Sequence, residues 1–373
     1  MKTPNGHEII GLFERFSPKS YAMEGDKVGL QIGRLNKPCK KVMIALDVLE
    51  SVVDEAIEEN IDLIIAHHPL IYRPLGAIQT DQTAGRVIEK LIKHDIAVYT
   101  AHTNLDVAKG GVNDLLASAL HLTNTEVLVP TIAEELRKLA VFVPLDQAEA
   151  VREALGKAGA GALGNYQNCS FSQQGEGRFQ PGEEAGPFIG QAGGRLETVQ
   201  EEKIEVIYPA HIEKKVLSAM LKAHPYEEAA YDIYPLQNKG EQLGLGRIGL
   251  LPQEVTLEEF AVHVKESLQS GGVRVVGDKA RLVRKVAVLG GDGNKYWQTA
   301  LRKGADVYVT GDFYYHTAHD ADAEGLAIVD PGHNVEKVMK KGVAAILHEQ
   351  ASKQKWTVEF VASAVETDPF QFM

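Results

Sequence analysis

The chain has 373 residues, 44% of them hydrophobic and 24% charged, which is enough to bury a large core in two or three domains and too apolar for a disordered chain. Its formal net charge of −12, with no Lys/Arg run to override it locally, argues against a phosphate-backbone binder, so no nucleic-acid partner is expected. Cys39 and Cys169 give no disulfide framework and leave any metal to nitrogen and oxygen ligands. The start, Met1-Lys-Thr-Pro, lacks an apolar signal core and no run approaches the ~18–20 apolar residues of a membrane span, so a cytoplasmic protein is expected.

Residues 7–16 space their apolar groups as a short amphipathic helix, stopped by Ser17-Pro18. The stretch from Gly25 to Gly33 carries glycine too often for a regular element and reads as a turn joining strands; no helix opens after it to make a phosphate cradle. Residues 41–46 form a strand, and residues 50–59 a helix with Val52, Val53, Ala56 and Ile57 inward. The chain then reaches Ile61–Ala66, where five of six residues are apolar, the pattern of a strand buried on both faces of a mostly parallel sheet. That strand runs straight into His67-His68-Pro69. Imidazole is a common metal ligand, and ligands collect at the carboxyl ends of strands in open α/β sheets. Pro69 keeps His68 extended, and adjacent side chains on extended backbone point to opposite sides, so one dyad could serve two metals. A helix follows at about 80–94, then a strand from Ile96 whose exit carries His102-Thr-Asn-Leu-Asp106. By themselves Asn104 and Asp106 read as a polar turn before Gly110-Gly111.

A separate block spans about 129–237. Leu139–Pro144 and a helix at 146–158 are echoed by Ile204–Pro209 and a helix at 211–223, a duplicated βαβ of ferredoxin-like pattern. Residues 172–194, rich in Gly and Gln, read as a hairpin or a long flexible loop between its halves. His211 and His224 read as surface or packing residues. Gly244-Leu-Gly-Arg-Ile-Gly249 satisfies the dinucleotide fingerprint only formally, because Leu-Leu-Pro252 follows where a helix is required. Thr256 and Glu259 form a capping box for a helix to about 268.

Beyond it the chain repeats itself. Residues 285–312 match 41–68 at an offset of 244, setting Thr-Gly311-Asp312 against Ala-His67-His68. Residues 326–336 match 96–106 at an offset of 230, so that Asn334 meets Asn104 and Glu336 meets Asp106. Two related half-sheets of this kind can bring polar strand ends to one cleft. His333 and Glu336, three apart at the start of a helix, lie on one helical face. His67, His68, Asp106, His333 and Glu336 together offer three imidazoles and two carboxylates, a set suited to zinc, iron or manganese and poor for calcium. Five ligands fit two divalent metal ions per chain sharing a carboxylate better than one. His316, in Tyr315-His316-Thr-Ala-His319, is the candidate proton shuttle near them.

The series Asp26-Lys-Val-Gly-Leu-Gln, Ala66-His-His-Pro, His102-Thr-Asn-Leu-Asp, Gly244-Leu-Gly-Arg-Ile-Gly, Thr310-Gly-Asp and Gly332-His-Asn-Val-Glu resembles the Nif-three-like family, also called the GTP cyclohydrolase 1 type 2 homologues. The resemblance implies a dinuclear centre at the five positions, in a toroidal homohexamer; among the metals suited to the ligand set, zinc is placed first. The central block, with His224-Pro-Tyr-Glu-Glu, is similar to the CutA and PII proteins, an insertion that some bacterial members carry. The expected fold is α/β: two related halves, residues 1–128 and 238–373, form one discontinuous metal-binding domain around a ferredoxin-like α+β insertion, residues 129–237. Two functions remain open. One is a metal-dependent hydrolase acting on a nucleotide or phosphoester, by the family label the guanine ring of GTP opened with loss of formate, although no Walker-type loop is visible. The other is a non-catalytic metal-binding or regulatory assembly in which the PII-like block senses a small ligand.

Overall fold

A computed structural model describes residues 2–373, which divide into two compact units: one running to Ile132 and resuming over Leu243–Met373, the other Ala133–Gln242.

In the first unit, α1 (Gly6–Phe16) starts at a reciprocal capping box between Asn5 and Glu8 and buries Ile9, Ile10, Leu12 and Phe13. There follow β1 (Gly29–Ile32), β2 (Lys41–Ala45), α2 (Glu50–Glu58), β3 (Leu63–Ala66), α3 (Thr83–Lys93), β4 (Ala97–Thr100), the single turn α4 (Thr103–Val107) and α5 (Val112–Ala119). The expected turn at Gly25–Gly33 is in part a strand: β1 pairs antiparallel with β4, bounded by Gly29 at φ 112° and Gly33 at φ 79°. Glycine there ends the strand rather than preventing it.

β5 (Thr123–Pro144) leads into the second unit, which continues with α6 (Ala148–Ala158), β6 (Phe171–Phe179), β7 (Glu197–Pro209) and α7 (Glu213–Ala223) before β8 (Tyr231–Thr256) leads out. Within this unit β5 and β6 flank β7, both antiparallel to it. Leu139, Val141 and Val143 of β5 and Ile204, Val206 and Tyr208 of β7 point to one face, where α6 and α7 cover them. Residues of opposite parity, Glu201, Lys203 and Glu205, take the other face. Of the two readings of the Gly/Gln-rich stretch the hairpin is the one seen: its first part is strand β6, which turns back through residues 180–196 to pair with β7.

The first unit resumes with α8 (Leu257–Ser267), capped by the Thr256–Glu259 box, then β9 (Arg274–Val276), β10 (Leu282–Asp292), α9 (Trp297–Arg302), β11 (Val307–Gly311), α10 (Tyr315–Ala323), β12 (Ala327–Asp330), α11 (Val338–Lys353) and β13 (Glu359–Ala362). Gly244–Gly249 lies inside β8, with no strand–loop–helix geometry for a dinucleotide.

This unit holds a five-stranded sheet ordered β1-β4-β3-β2-β13 and a run of strands ordered β8-β10-β11-β12-β9. Their parallel centres share one register. Val42 faces Leu63 as Val286 faces Val307, an offset of 244, and Leu63 faces Ala97 as Val307 faces Ala327, the second pair offset by 230. A side-chain detail recurs with them: Asp62 Oδ2 accepts from the backbone N–H groups of Lys40 and Lys41, and Asp306 Oδ2 from those of Arg284 and Lys285.

Both faces of these strands are covered, which is why their sequences are apolar without alternation. Val42, Ile44, Leu63 and Ile65 join Val286, Val288, Val307 and Val309 in one core with α1, α5, α8 and α11. The intervening residues Met43, Ile64 and Val98 pack under α2 and α3, and Ala287, Tyr308 and Ile328 pack with Trp297, Ala300 and Ala321. The polar strand ends of the two runs are thereby left beside each other.

Candidate metal centre

The dyad extends β3 beyond its last apolar residue: the N–H groups of His67 and His68 donate to the carbonyls of Ala45 (3.0 Å) and Leu46 (2.9 Å). The rings are not sent to opposite sides of the strand: the backbone bends at the dyad, the ring centroids lie 5.1 Å apart, and both rings put a nitrogen into one group with His102. His67 is fully buried, its Nδ1 donates to the Ala101 carbonyl at 2.9 Å, and its Nε2 lies 3.7 Å from both Asp106 Oδ1 and Glu336 Oε1. His68 bonds through Nδ1 to Asp47 Oδ1 at 2.7 Å, which turns its Nε2 to 3.1 Å from Glu336 Oε2.

His333 and Glu336 come from a tight 3-10 turn, His333–Lys337, at the head of α11 rather than from the α-helix itself. Residues three apart eclipse in that geometry, and His333 Nε2 stands 3.2 Å from Glu336 Oε2. Asp312 Oδ2 holds His333 Nδ1 at 2.7 Å from a backbone at φ 53°, the left-handed region that Asp enters more readily than most residues. Asp106 sits on the one-turn helix α4, not in an open turn, and its side chain is nearly buried.

The other four residues pooled from the sequence stand around Glu336, one oxygen of which lies toward His67 and the other toward His68 and His333. Among the described residues, three groups have donor atoms within 4.8 Å of one another: His67, Asp106 and Glu336; His68, His333 and Glu336; and His67, His68 and His102. His102 was read in the sequence only as part of a motif; its Nδ1 is held by Asp26 Oδ1 at 2.8 Å. His316 is in none of these groups. Its ring is exposed on α10, 5.4 Å from that of Tyr315.

The anchoring carboxylates Asp26, Asp47 and Asp312 were not singled out as functional, and neither was Gly290-Gly291. A Cβ on Gly290 or Gly291 would come within 2.9 Å or 2.8 Å of Glu336 Oε1, so only glycine lets that carboxylate reach the centre. A double glycine followed by Asp at the end of a buried strand is the signal that marks this place.

Electrostatics tie the cluster together. Burial opposes charge on His68, but the Asp47 and Glu336 carboxylates push it up to about 10. The hydrogen bond with Glu336 leads in raising His333 to about 9, against burial. Burial raises Asp106 to about 6, while the three histidines hold Glu336 well below the carboxylate range despite its own burial. Two of the five buried side-chain atoms that lack a hydrogen bond among the described residues belong to the cluster, His67 Nε2 and Asp106 Oδ1, and they face each other. Buried polar atoms are seldom left so, and an imidazole lone pair and a carboxylate oxygen converging with Glu336 fit a divalent cation.

The chain is 60% identical, over the full length of both proteins, to the Bacillus subtilis (strain 168) protein named GTP cyclohydrolase 1 type 2 homolog. A Bacillus cereus protein related to NIF3, solved by crystallography, superposes with a TM-score of 0.91 at 63% identity, each chain fully covered. A Staphylococcus aureus crystal structure gives a TM-score of 0.79 at 32% identity, again over both whole chains. The Duf34/NIF3 (NGG1p interacting factor 3) family matches residues 4–369, and the chain belongs to that family.

Proposed function

We propose that the cluster is a dinuclear centre for divalent metals, zinc first among them, and that the protein is a metal-dependent hydrolase of nucleotides or phosphoesters. The carrying observation is the position of Glu336, one oxygen beside His67 and the other beside His68 and His333, as expected of a carboxylate shared by two cations. Asp106 completes the group at His67. Bound there, the cations would lower the pKa of a water and stabilise charge developing on the substrate.

This chain's own residues prepare the place. Asp47 and Asp312 fix the rings of His68 and His333 with Nε2 inward, and Asp26 does the same for His102. His67 and Glu336 are sealed from solvent, whereas the side chains of His68 and His333 are 24% and 38% exposed, so the accessible side of the centre is theirs. An accessible side favours catalysis over storage. His102 and His316 are the groups offered for proton transfer.

The name of the Bacillus subtilis relative suggests the guanine ring of GTP as one substrate to test. The reading includes a ring-shaped homohexamer in the cytoplasm, two halves related by duplication, and a ferredoxin-like inserted block. Metal analysis of the protein and of a His68→Ala, Glu336→Ala double variant, each assayed on nucleotides and phosphoesters, is the test. About two metals per chain, lost with turnover in the variant, are expected. Unchanged metal content in the variant would sink the centre. Metals lost as expected without turnover on any substrate would replace the hydrolase by a regulatory metal-binding assembly.

A further inference from the structure

The second unit contains a cavity of about 670 Å³, within the range of small-molecule sites and lined entirely by its own residues. It lies on the face of β6 and β7 turned away from α6 and α7, where Gly175 pairs with Glu201 and Gln173 with Lys203. Two glycines strip this floor of side chains. A Cβ on Gly177 would come 2.1 Å from Glu201 Oε2, so the carboxylate lies across bare backbone, and a Cβ on Gly175 would meet nothing within 4 Å.

The walls are aromatic. The ring of Tyr226 stands edge-on to Phe179 at 5.6 Å between centroids and 6.3 Å from Phe188. It is held in place by His224, whose Nδ1 accepts from the Tyr226 N–H at 3.1 Å while Nε2 donates to the Phe142 carbonyl at 2.9 Å. His224 is thus a packing residue that builds the cavity wall.

The charges are unbalanced. Arg178 is taken by Glu176, and Lys203 is drawn to Glu205 at 2.6 Å. Glu201 is only 9% exposed, accepts a hydrogen bond from Tyr226 Oη at 3.1 Å, and has no cationic partner among the described residues. Glu227 and Glu228 add acidity at the rim. A carboxylate removed from water without a counter-charge is costly, and aromatic faces attract cations.

We propose that this cavity binds a small organic monocation, a protonated amine or quaternary ammonium on an apolar or aromatic body. Glu201 is its counter-ion, and Phe179, Phe188 and Tyr226 are its walls. Metal ions are served poorly here, because both ring nitrogens of His224 are already engaged and one carboxylate without a second buried acid makes no coordination set. Anions are repelled.

The test is calorimetric titration of the full chain with benzylammonium and benzyltrimethylammonium chlorides, benzyl alcohol and benzoate, on wild type and on the Glu201→Gln and Gly175→Phe variants. Expected are binding of at least one ammonium about tenfold or more tighter than the alcohol, no benzoate binding, loss of that preference in E201Q, and loss of both ligands in G175F. The second variant stands by itself if the first does not fold. No ammonium binding at millimolar concentration, equal binding of ammonium and alcohol, a preference that survives E201Q, or binding undiminished in G175F would each overturn the proposal.

Discussion

Loading metal-free protein with zinc at pH 7 is expected to release about two protons per chain. In the metal-free cluster His68 is pushed up to about 10 and His333 to about 9, so at pH 7 both rings carry two protons, although coordination needs a bare Nε2. His67 is also raised, burial being overcome by Asp106 and Glu336. Titrations in two buffers of different ionisation enthalpy count the protons directly. With two displaced, apparent affinity should climb roughly 100-fold per pH unit between pH 7 and 8 and level off through 9 to 10. The metal-free fold should behave in the opposite sense. Groups raised in the folded state stabilise it fully below about 6.5, the unfolded value, and that contribution is lost as pH rises through 9 to 10. Its melting temperature should therefore fall toward alkaline pH while the metal-loaded protein gains on it. Fewer than one proton released at pH 7, or a His68→Ala variant releasing as many as wild type, would refute the reasoning.

Two substitutions probe the scaffold. Gly311→Ala places a Cβ 2.7 Å from the His333 backbone nitrogen and against the Gly332 carbonyl, neither of which can rotate away, so His333 must move; metal content should fall from about two toward one per chain, and full occupancy would contradict this. Asp114→Ala takes from Arg247, which is 4% exposed, its counter-charge at 2.5 and 2.7 Å and leaves it only the Gly244 and Gly246 carbonyls. A loss of about 3–5 kcal/mol in urea unfolding is expected, part of it recovered by an Asp114→Leu, Arg247→Met pair, which removes the charge but leaves those carbonyls without their donor.

The parts visible in the sequence are those whose signal is local. Leu63–Ala66 and Val307–Gly311 are apolar without interruption because both faces of their sheets are covered, and the offsets of 244 and 230 reappear as strand registers because one side-chain pattern specifies one pairing. The His-His dyad at a strand end and the His333–Glu336 spacing were legible for the same reason. What escaped depends on distant contacts. Asp26, Asp47 and Asp312 look like turn residues until the fold brings each to a histidine 76, 21 and 21 positions away. Gly29–Ile32 looked too glycine-rich for a strand, and only its partner Ala97–Thr100 makes it one. The one-turn helix under Asp106 is too short for periodicity to reveal.

The hydrogen bond from Thr367 Oγ1 to Asp47 Oδ2, 2.5 Å long, joins positions 320 apart, and His68 meets Glu336 across 268. On a chain growing from the ribosome, the dyad therefore emerges long before the carboxylate meant to sit between its rings, and before the threonine that steadies its anchor. Contacts of such sequence separation form late, after the loop entropy between them has been overcome. During that interval the early half would offer histidines without their shared acid, a weaker and less selective trap than the proposed centre. Any metal taken up at that stage would have to be exchanged or retained when Glu336 arrives, so the order of synthesis, as well as the final geometry, would bear on which ion such a centre keeps.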